Sequence, residues 1–183
     1  MLFRSPEGLA ASVSSMWVVC RGSGTIARIE PATNELRTQV AVGREPRFAV
    51  SGFGSIWISN SGGVSVSRVD PRTGQVTATI PTGFGPQALT VFAGSVWVSN
   101  TEGGAVQRID PTTSQVTVTI DVPGFPDGLL PVAGSMWAVS QEGPTLTRID
   151  QGTNSAVATY AVDRKSTRLN SSHIQKSRMP SSA

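Results

Sequence analysis

Short apolar segments, separated by glycine, proline, asparagine and aspartate, follow one another along the chain. Within residues 46–82 these turn residues delimit four segments of strand length, at 46–52, 55–60, 64–70 and 75–82. In the last segment Val76, Ala78 and Ile80 alternate with threonines, which predicts a half-buried strand with these three side chains on one face. The segment around Trp57 is apolar on both faces, as in an inner strand packed between sheets. No segment has a sustained helical period.

This pattern repeats every 40 residues without insertion or deletion. The repeated positions are Trp17, Trp57, Trp97 and Trp137; Arg28, Arg68, Arg108 and Arg148; Glu30, Asp70, Asp110 and Asp150; Thr33, Thr73, Thr113 and Thr153; and Pro6, Pro46, Pro86 and Pro126. Four short antiparallel strands per 40-residue repeat are typical of a β-propeller blade. We therefore predict an all-β fold of four consecutive blades, at about residues 6–42, 46–82, 86–122 and 126–162, within a propeller region spanning residues 1–162.

The recurring sequences W-V-S-N and R-I-D-P-x-T carry a family resemblance. They resemble the repeats of YVTN-type propellers and of streptogramin (virginiamycin B) lyase-like propellers, and the resemblance spans residues 1–162. Propellers of these families usually have six or seven blades, which implies that the four blades form an incomplete ring and that further blades of the same chain are missing. A closed four-bladed ring is the alternative. Related propellers are often extracytoplasmic, so the resemblance favours a periplasmic or secreted location.

Residues present in every repeat are expected to serve the scaffold. The tryptophans fill the wedges between blades. Arg68 and Asp70 lie two residues apart on one strand and therefore face the same side, which predicts a structural ion pair repeated in each blade. The sequence Asp70-Pro71-Arg72-Thr73-Gly74 predicts a turn in which the aspartate accepts backbone N–H bonds. Cys20 has no local base and is interpreted as a small residue at a strand end.

Candidate site residues are those that differ between blades. Antiparallel order puts the loop between the second and third strands and the loop between blades at one end of the propeller, where ligands commonly bind. The tentative ligand-binding residues in these loops are Arg21, Arg44, Glu45, Arg47, Phe84, Glu102, Phe125, Asp127 and Glu142, beside Cys20 and Gln141. Solvated loops that have drifted between repeats are the alternative interpretation.

Two small groups among these residues suggest specific chemistry. Arg44 and Arg47 could bind a carboxylate or phosphate together. Glu102 and Glu142 occupy equivalent positions in adjacent blades and could share a hard cation. Neither pair has a diagnostic ligand spacing, so the sequence predicts no catalytic residue and no metal ligand.

Charge and composition change the picture at the end of the chain. The net charge is +3, but residues 163–183 carry five basic residues and one acidic residue, which leaves residues 1–162 with ten arginines, no lysine and eleven acidic residues, a net charge of −1. This slightly acidic region disfavours nucleic-acid binding. Its arginine-only basic content indicates a bacterial source of high GC content. No apolar stretch approaches the length of a membrane-spanning helix, so no membrane span is expected.

The final 21 residues interrupt the repeat. DRKSTRLNSSH and SRMPSSA resemble the translation of a short-read sequencing adapter, so residues 163–183 are interpreted as a non-native, disordered tail that includes His173, the only histidine. A natural Ser/Arg-rich tail is the alternative. If the tail is excluded, no histidine remains.

Two functions follow from these observations. The first is a non-catalytic binding or sensory module that holds an unknown small ligand or protein partner without a cofactor. The second, implied only by the resemblance, is a fragment of a streptogramin B lyase-like enzyme, a carbon–oxygen lyase that uses Mg²⁺, carboxylate ligands and a histidine base. Residues 1–162 offer no histidine to match that base.

Overall fold

The structure, a computed structural model, describes residues 4–162, which form sixteen strands. Blade 1 comprises β1 (Pro6–Ser12), β2 (Ser15–Cys20), β3 (Thr25–Glu30) and β4 (Glu35–Ala41). Blade 2 comprises β5 (Pro46–Gly52), β6 (Ser55–Asn60), β7 (Ser65–Val69) and β8 (Val76–Pro81). Blade 3 comprises β9 (Pro86–Phe92), β10 (Ser95–Asn100), β11 (Ala105–Asp110) and β12 (Gln115–Asp121). Blade 4 comprises β13 (Pro126–Val132), β14 (Ser135–Ser140), β15 (Thr145–Asp150) and β16 (Ser155–Ala161).

Each blade is one antiparallel sheet with its four strands in chain order, which confirms the all-β propeller prediction. Short 3₁₀ turns at Arg21–Ser23 and Ser61–Gly63 connect the second and third strands of blades 1 and 2. Within the residues that the structure describes, no helix is long and apolar enough to cross a membrane. The interpretation of residues 163–183 as a translated adapter concerns residues outside the described range.

The strand predicted at 75–82 differs from the prediction in one respect. The register shifts by one residue between Arg68 and Val69, so that Ala78 pairs with Arg68 whereas Val76 pairs with Val69. A β-bulge of this kind places two residues opposite one and reverses the alternation of faces. Ala78 and Ile80 therefore pack against blade 3, but Val76 lies on the other side of the bulge and does not share their face. The prediction that all three side chains lie on one face was wrong.

Apolar cores lie between consecutive blades, and a tryptophan lies in each core. Trp57, with Val66 and Ile80 of blade 2, packs against Val96, Val98 and Ile109 of blade 3. Equivalent clusters contain Trp17 between blades 1 and 2 and Trp97 between blades 3 and 4. All three of these tryptophans are fully buried, which confirms that they fill the wedges between blades.

The repeated arginines also join neighbouring blades. Arg68 donates from Nε to Ser55 Oγ at 2.8 Å and from Nη1 to the backbone carbonyl of Pro111, in the turn of blade 3, at 2.7 Å. Its guanidinium lies over the Trp57 ring, 4.9 Å from the ring centre. Asp70 is not its partner, because the carboxylate instead accepts the backbone N–H groups of its own turn. The predicted ion pair was therefore wrong.

The aspartate turns have the predicted geometry. The Asp110 carboxylate accepts backbone N–H bonds from Thr112 and Thr113 after β11, and Asp70 and Asp150 do the same in blades 2 and 4. These backbone N–H groups stabilise the ionised form and lower the pKa of the Asp110 carboxyl. The same cause lowers the pKa of Asp70 and Asp150.

Replacing Asp110 with asparagine should lower stability near neutral pH and have no effect in strong acid. A carboxyl whose pKa is lowered by folding stabilises the fold above its unfolded pKa of about 4, and this contribution disappears as pH falls through the lower folded value. Thermal unfolding of the wild type and Asp110→Asn at about pH 7 and about pH 2.5 measures the difference. Asp121→Asn is the control, because the Asp121 carboxylate accepts no hydrogen bond from the described residues. A difference that persists unchanged in acid would contradict this assignment.

Candidate ligand-binding site

The loops that differ between blades meet at one end of the propeller, which we call the top end. Backbone N–H groups of Ser61, at the end of β6, and of Gln141, at the end of β14, bond to the carbonyls of Glu45 and Phe125 in the loops that enter the same blades. The bond from Thr101 to Gly85 is the blade 3 equivalent, at 2.9 Å. These bonds confirm the predicted arrangement, in which the loops between second and third strands lie beside the loops between blades.

A polar cavity of about 300 Å³ opens at the top end between blades 2, 3 and 4. Its walls are formed by Arg47, Ser61, Gly85, Gln87, Thr101, Glu102, Phe125, Gln141 and Glu142. Four of the nine predicted ligand-binding residues, Arg47, Glu102, Phe125 and Glu142, are thus brought together at one place. Gln141, also singled out in the sequence, lines the same cavity.

Arg47 is the cationic residue of the cavity. Its Nη1 donates to Gln87 Oε1 at 3.0 Å, which holds the guanidinium against blade 3. Its Nε is buried without a hydrogen-bond partner among the described residues and forms an ion pair with Glu7, whose Oε2 lies 3.8 Å away. The guanidinium is thus held by Gln87 and Glu7 at the cavity wall, where it supplies a positive charge.

The carboxylates of the cavity come from equivalent loops of blades 3 and 4. Glu102 and Glu142 are both exposed, and neither forms an ion pair within residues 4–162. Glycines allow the loops to approach closely beside them. A Cβ on Gly85, whose φ is +64°, would lie 3.0 Å from Glu102 Cγ, and one on Gly124, whose φ is +78°, would lie 2.5 Å from the Glu142 carbonyl oxygen.

Two predicted residues form an ion pair in the loops of blades 1 and 2. Arg21 Nη2 donates to Glu45 Oε2 at 2.7 Å, and Arg21 Nη1 donates to Glu7 Oε1 at 3.2 Å. The hydrogen bond from Arg21 lowers the pKa of Glu45, and the two glutamates raise the pKa of Arg21. Arg21 and Glu45 therefore have each other as partners and lie outside the cavity walls.

Three further predicted residues also lie outside the cavity walls. Arg44 is exposed and is not part of the cavity walls, whereas Arg47 is. Phe84 is 66% exposed. Asp127 lies on β13, where its backbone carbonyl accepts a bond from Ser99. Their roles in ligand binding stay predictions.

Gln87 and Thr101 line the cavity but were missed by the sequence reasoning. Gln87 could have been identified from the repeat, because it occupies the same position in blade 3 as Arg47 in blade 2 and Glu7 in blade 1. These positions, together with Asp127, carry four different polar side chains at the start of the first strand of each blade. Thr101 directs its hydroxyl to the Pro126 carbonyl at 2.7 Å, and no pattern in the sequence indicates that contact.

The cavity does not fit a dedicated magnesium site. Mg²⁺ requires near-octahedral oxygen ligation, and in residues 4–162 no group of three or more His, Cys, Asp or Glu side chains is placed to hold a metal. Glu102 and Glu142 share their cavity with the Arg47 guanidinium, whose positive charge opposes a divalent cation. We therefore derive no metal-dependent step for this cavity.

Cys20 does not line the cavity. It is fully buried at the end of β2, as predicted, and its thiol lies 3.7 Å from the Val18 carbonyl oxygen. Burial raises the pKa of the Cys20 thiol, which keeps it protonated and unreactive at neutral pH.

Comparison with known proteins identifies the fold. No protein-family model and no curated protein sequence matches the chain. Hydrazine synthase of Kuenenia stuttgartiensis matches 88% of this chain and 50% of its own, with a TM-score of 0.80 and 17% identity. A streptogramin B lyase matches with a TM-score of 0.77 and 15% identity, over 88% of this chain and 56% of its own. The virginiamycin B lyase of Staphylococcus aureus matches with a TM-score of 0.77 and 14% identity, over 89% and 57%.

These matches are similarities of fold at low sequence identity. The chain spans about half the length of these three structures. Because one fold carries many unrelated functions, the likeness supports the β-propeller architecture and gives no activity to this chain.

Proposed function

We propose that this protein is a non-catalytic binding module whose top-end cavity holds a small molecule carrying a carboxylate and two amino groups. The observation that carries this proposal is the convergence of Arg47, Glu102 and Glu142 on one polar cavity. Repeated residues account for the scaffold, whereas these three occupy positions that differ between blades, Arg47 at the start of β5 and the two glutamates in loops.

The charges of the cavity suggest the chemistry of the ligand. One guanidinium is complementary to one carboxylate, and two carboxylates that form no ion pair among the described residues are complementary to two ammonium groups. The remaining wall residues, Gln141, Thr101 and Phe125, provide hydrogen-bonding groups and an apolar ring for the stem of such a ligand. L-Lysine carries this set of groups and is the probe of choice.

Calorimetric titration with L-lysine, 2-aminohexanoic acid and cadaverine tests the proposal. The second compound lacks the side-chain amino group, and the third lacks the carboxylate. We expect L-lysine to bind with a Kd of about 1 mM or lower, and each of the other two to bind at least about tenfold more weakly. Equal binding of all three compounds, or binding of none, would contradict the assigned ligand class.

Replacing Arg47 with methionine should weaken L-lysine binding by about tenfold or more, because one charge-assisted hydrogen bond to a carboxylate contributes about 1.5–3 kcal/mol. Arg44→Met is the matched control, since Arg44 is an exposed arginine outside the cavity three residues earlier. The titration is accompanied by thermal unfolding of both variants, which shows that they fold. Equal loss in the two variants would assign the effect to net charge and exclude a site at Arg47.

A further inference from the structure

The tryptophan-bearing face of blade 4 is an uncovered apolar surface. Trp137 is partly exposed, whereas its three equivalents are fully buried, and Leu130 and Tyr160 beside it are 62% and 51% exposed. This face contains a groove of about 500 Å³. Its walls are Gly128, Leu129, Leu130, Val132, Ala133, Trp137, Val139 and Leu146. A contiguous apolar surface of this kind marks an interaction site.

The three internal interfaces show what covers such a face. In each, the tryptophan face packs against three apolar positions on the opposite face of the following blade. These positions are Ile56, Ile58 and Val69 in blade 2; Val96, Val98 and Ile109 in blade 3; and Met136, Ala138 and Ile149 in blade 4. The covering surface is thus a blade face of defined composition.

Blade 1 presents that same surface, and no blade covers it in the described part of the chain. Steps of 40 residues from Ile56, Ile58 and Val69 lead back to Met16, Val18 and Ile29. Met16 is 37% exposed, and Leu9 on the neighbouring strand β1 is 65% exposed. One chain therefore carries both halves of a blade-to-blade interface, one at each end of its four blades.

The arginine contacts identify the same two surfaces independently. Arg108 donates to the Gln151 carbonyl and to Asn154 Oδ1 in the turn of the following blade. Its blade 4 equivalent, Arg148, is exposed and bonds only to Ser135 of its own blade within the described residues. The turn of blade 1 offers the matching acceptors, because Pro31 and Asn34 are exposed and stand 120 residues before Gln151 and Asn154.

We propose that the tryptophan face of blade 4 binds the blade 1 face of a second copy of this chain. Two such junctions related by a two-fold axis close a ring of eight blades from two chains, which satisfies every exposed apolar face. Trp137 then packs against Met16 and Val18 of the other copy, and Arg148 donates to the turn at Pro31 and Asn34. This assembly is separate from ligand binding at the top end, and either can fail without the other.

Sedimentation velocity of the full 183-residue chain tests the assembly. We expect a single species of about 38 kDa, twice the chain mass of 19.1 kDa, at a concentration of about 10 μM. A monomer at every concentration would overturn the proposal and assign the face to further blades of a longer chain. An open-ended series of larger species would overturn the closed ring.

Two charge substitutions test which faces meet. Leu130→Arg places a charge on the blade 4 face, and Leu9→Arg places one on the blade 1 face. Each variant alone should sediment as a folded monomer, because each disrupts both symmetric junctions. An equimolar mixture should recover a dimer, since it contains one intact face of each kind and can form one junction. Failure of the mixture to recover a dimer would overturn the head-to-tail arrangement.

Val157→Arg is the matched control for these two variants. Val157 is 50% exposed on β16, and the equivalent residue of blade 1 is already an arginine, Arg37. The position is also exposed in blades 2 and 3, at Thr77 and Thr117, although a blade follows each of them in space. The control should remain a dimer, and its dissociation would show that any added charge separates the copies, which would overturn the assignment to these two faces.

The arginine contact has a finer test in Asn34→Gly. Asn34 has a φ of +58°, which glycine accepts without strain, and blade 2 has Gly74 at the equivalent position. We expect this change to weaken the dimer about ten- to hundredfold, because it removes one hydrogen bond at each of the two junctions. Asn154→Gly removes the internal equivalent and should lower the unfolding temperature without changing the dimer Kd. An unchanged Kd in Asn34→Gly would remove Asn34 from the interface.

Discussion

Replacing Trp97 with alanine should destabilise the protein by about 3–5 kcal/mol, a large part of the 5–15 kcal/mol typical of a folded domain. The indole is fully buried between blades 3 and 4, where it packs against Met136 and Ile149. Its Nε1 also donates to the Phe92 carbonyl at 3.0 Å, so its removal leaves both a cavity and an unpaired acceptor. Urea unfolding followed by circular dichroism measures the change.

Phe84→Ala provides the comparison for Trp97→Ala. Phe84 is also aromatic but is 66% exposed on a top-end loop, so its removal should change stability by no more than about 0.5 kcal/mol. Similar losses in the two variants would show that burial between blades is not what makes the repeated tryptophan important.

Replacing Arg108 with methionine should cost about 1–3 kcal/mol. Methionine retains the apolar stem over the Trp97 ring but removes the guanidinium that bonds to Ser95 in blade 3 and to Gln151 and Asn154 in blade 4. Burial lowers the pKa of Arg108, and the next blade supplies the acceptors that compensate for this desolvation. Urea unfolding again provides the measurement.

Arg37→Met is the matched control for Arg108→Met. Arg37 forms an exposed ion pair with Glu35 at 3.0 Å, and such pairs contribute about 0–1 kcal/mol. An Arg108 variant as stable as the Arg37 variant would contradict the role of the repeated arginines in joining blades.

The repeated part of the fold could be predicted from the sequence because the same pattern occurs four times, once in each blade. The turn signals delimit β5 and β6 at the residues found in the structure, and the positions of the tryptophans identify the wedges between blades. The predicted face of Val76 was wrong because of a local β-bulge. A β-bulge depends on pairing with β7, and the alternation of Val76, Ala78 and Ile80 along one strand contains no information about that pairing.

Contacts between blades were harder to predict than contacts within them. The spacing of Arg68 and Asp70 indicates a shared face, yet Arg68 donates to the carbonyl of Pro111, 43 residues away in the next blade. The complete set of cavity residues was hard to predict for the same reason, since the walls come from blades 2, 3 and 4. The positions that differ between repeats include Arg47, Glu102, Phe125 and Glu142, but the number of blades that meet at one cavity depends on how the blades pack.

Chemical-shift mapping of the full chain by NMR with L-lysine locates the binding surface most directly. We expect the largest amide shifts at the top end of blades 2, 3 and 4, at Gly85, Thr101 and Gln141, with small shifts in the aspartate turns at the opposite end. Shifts concentrated in the turns after Asp70 and Asp110, or shifts spread evenly over all four blades at saturating ligand, would contradict a site built from the residues that differ between the repeats.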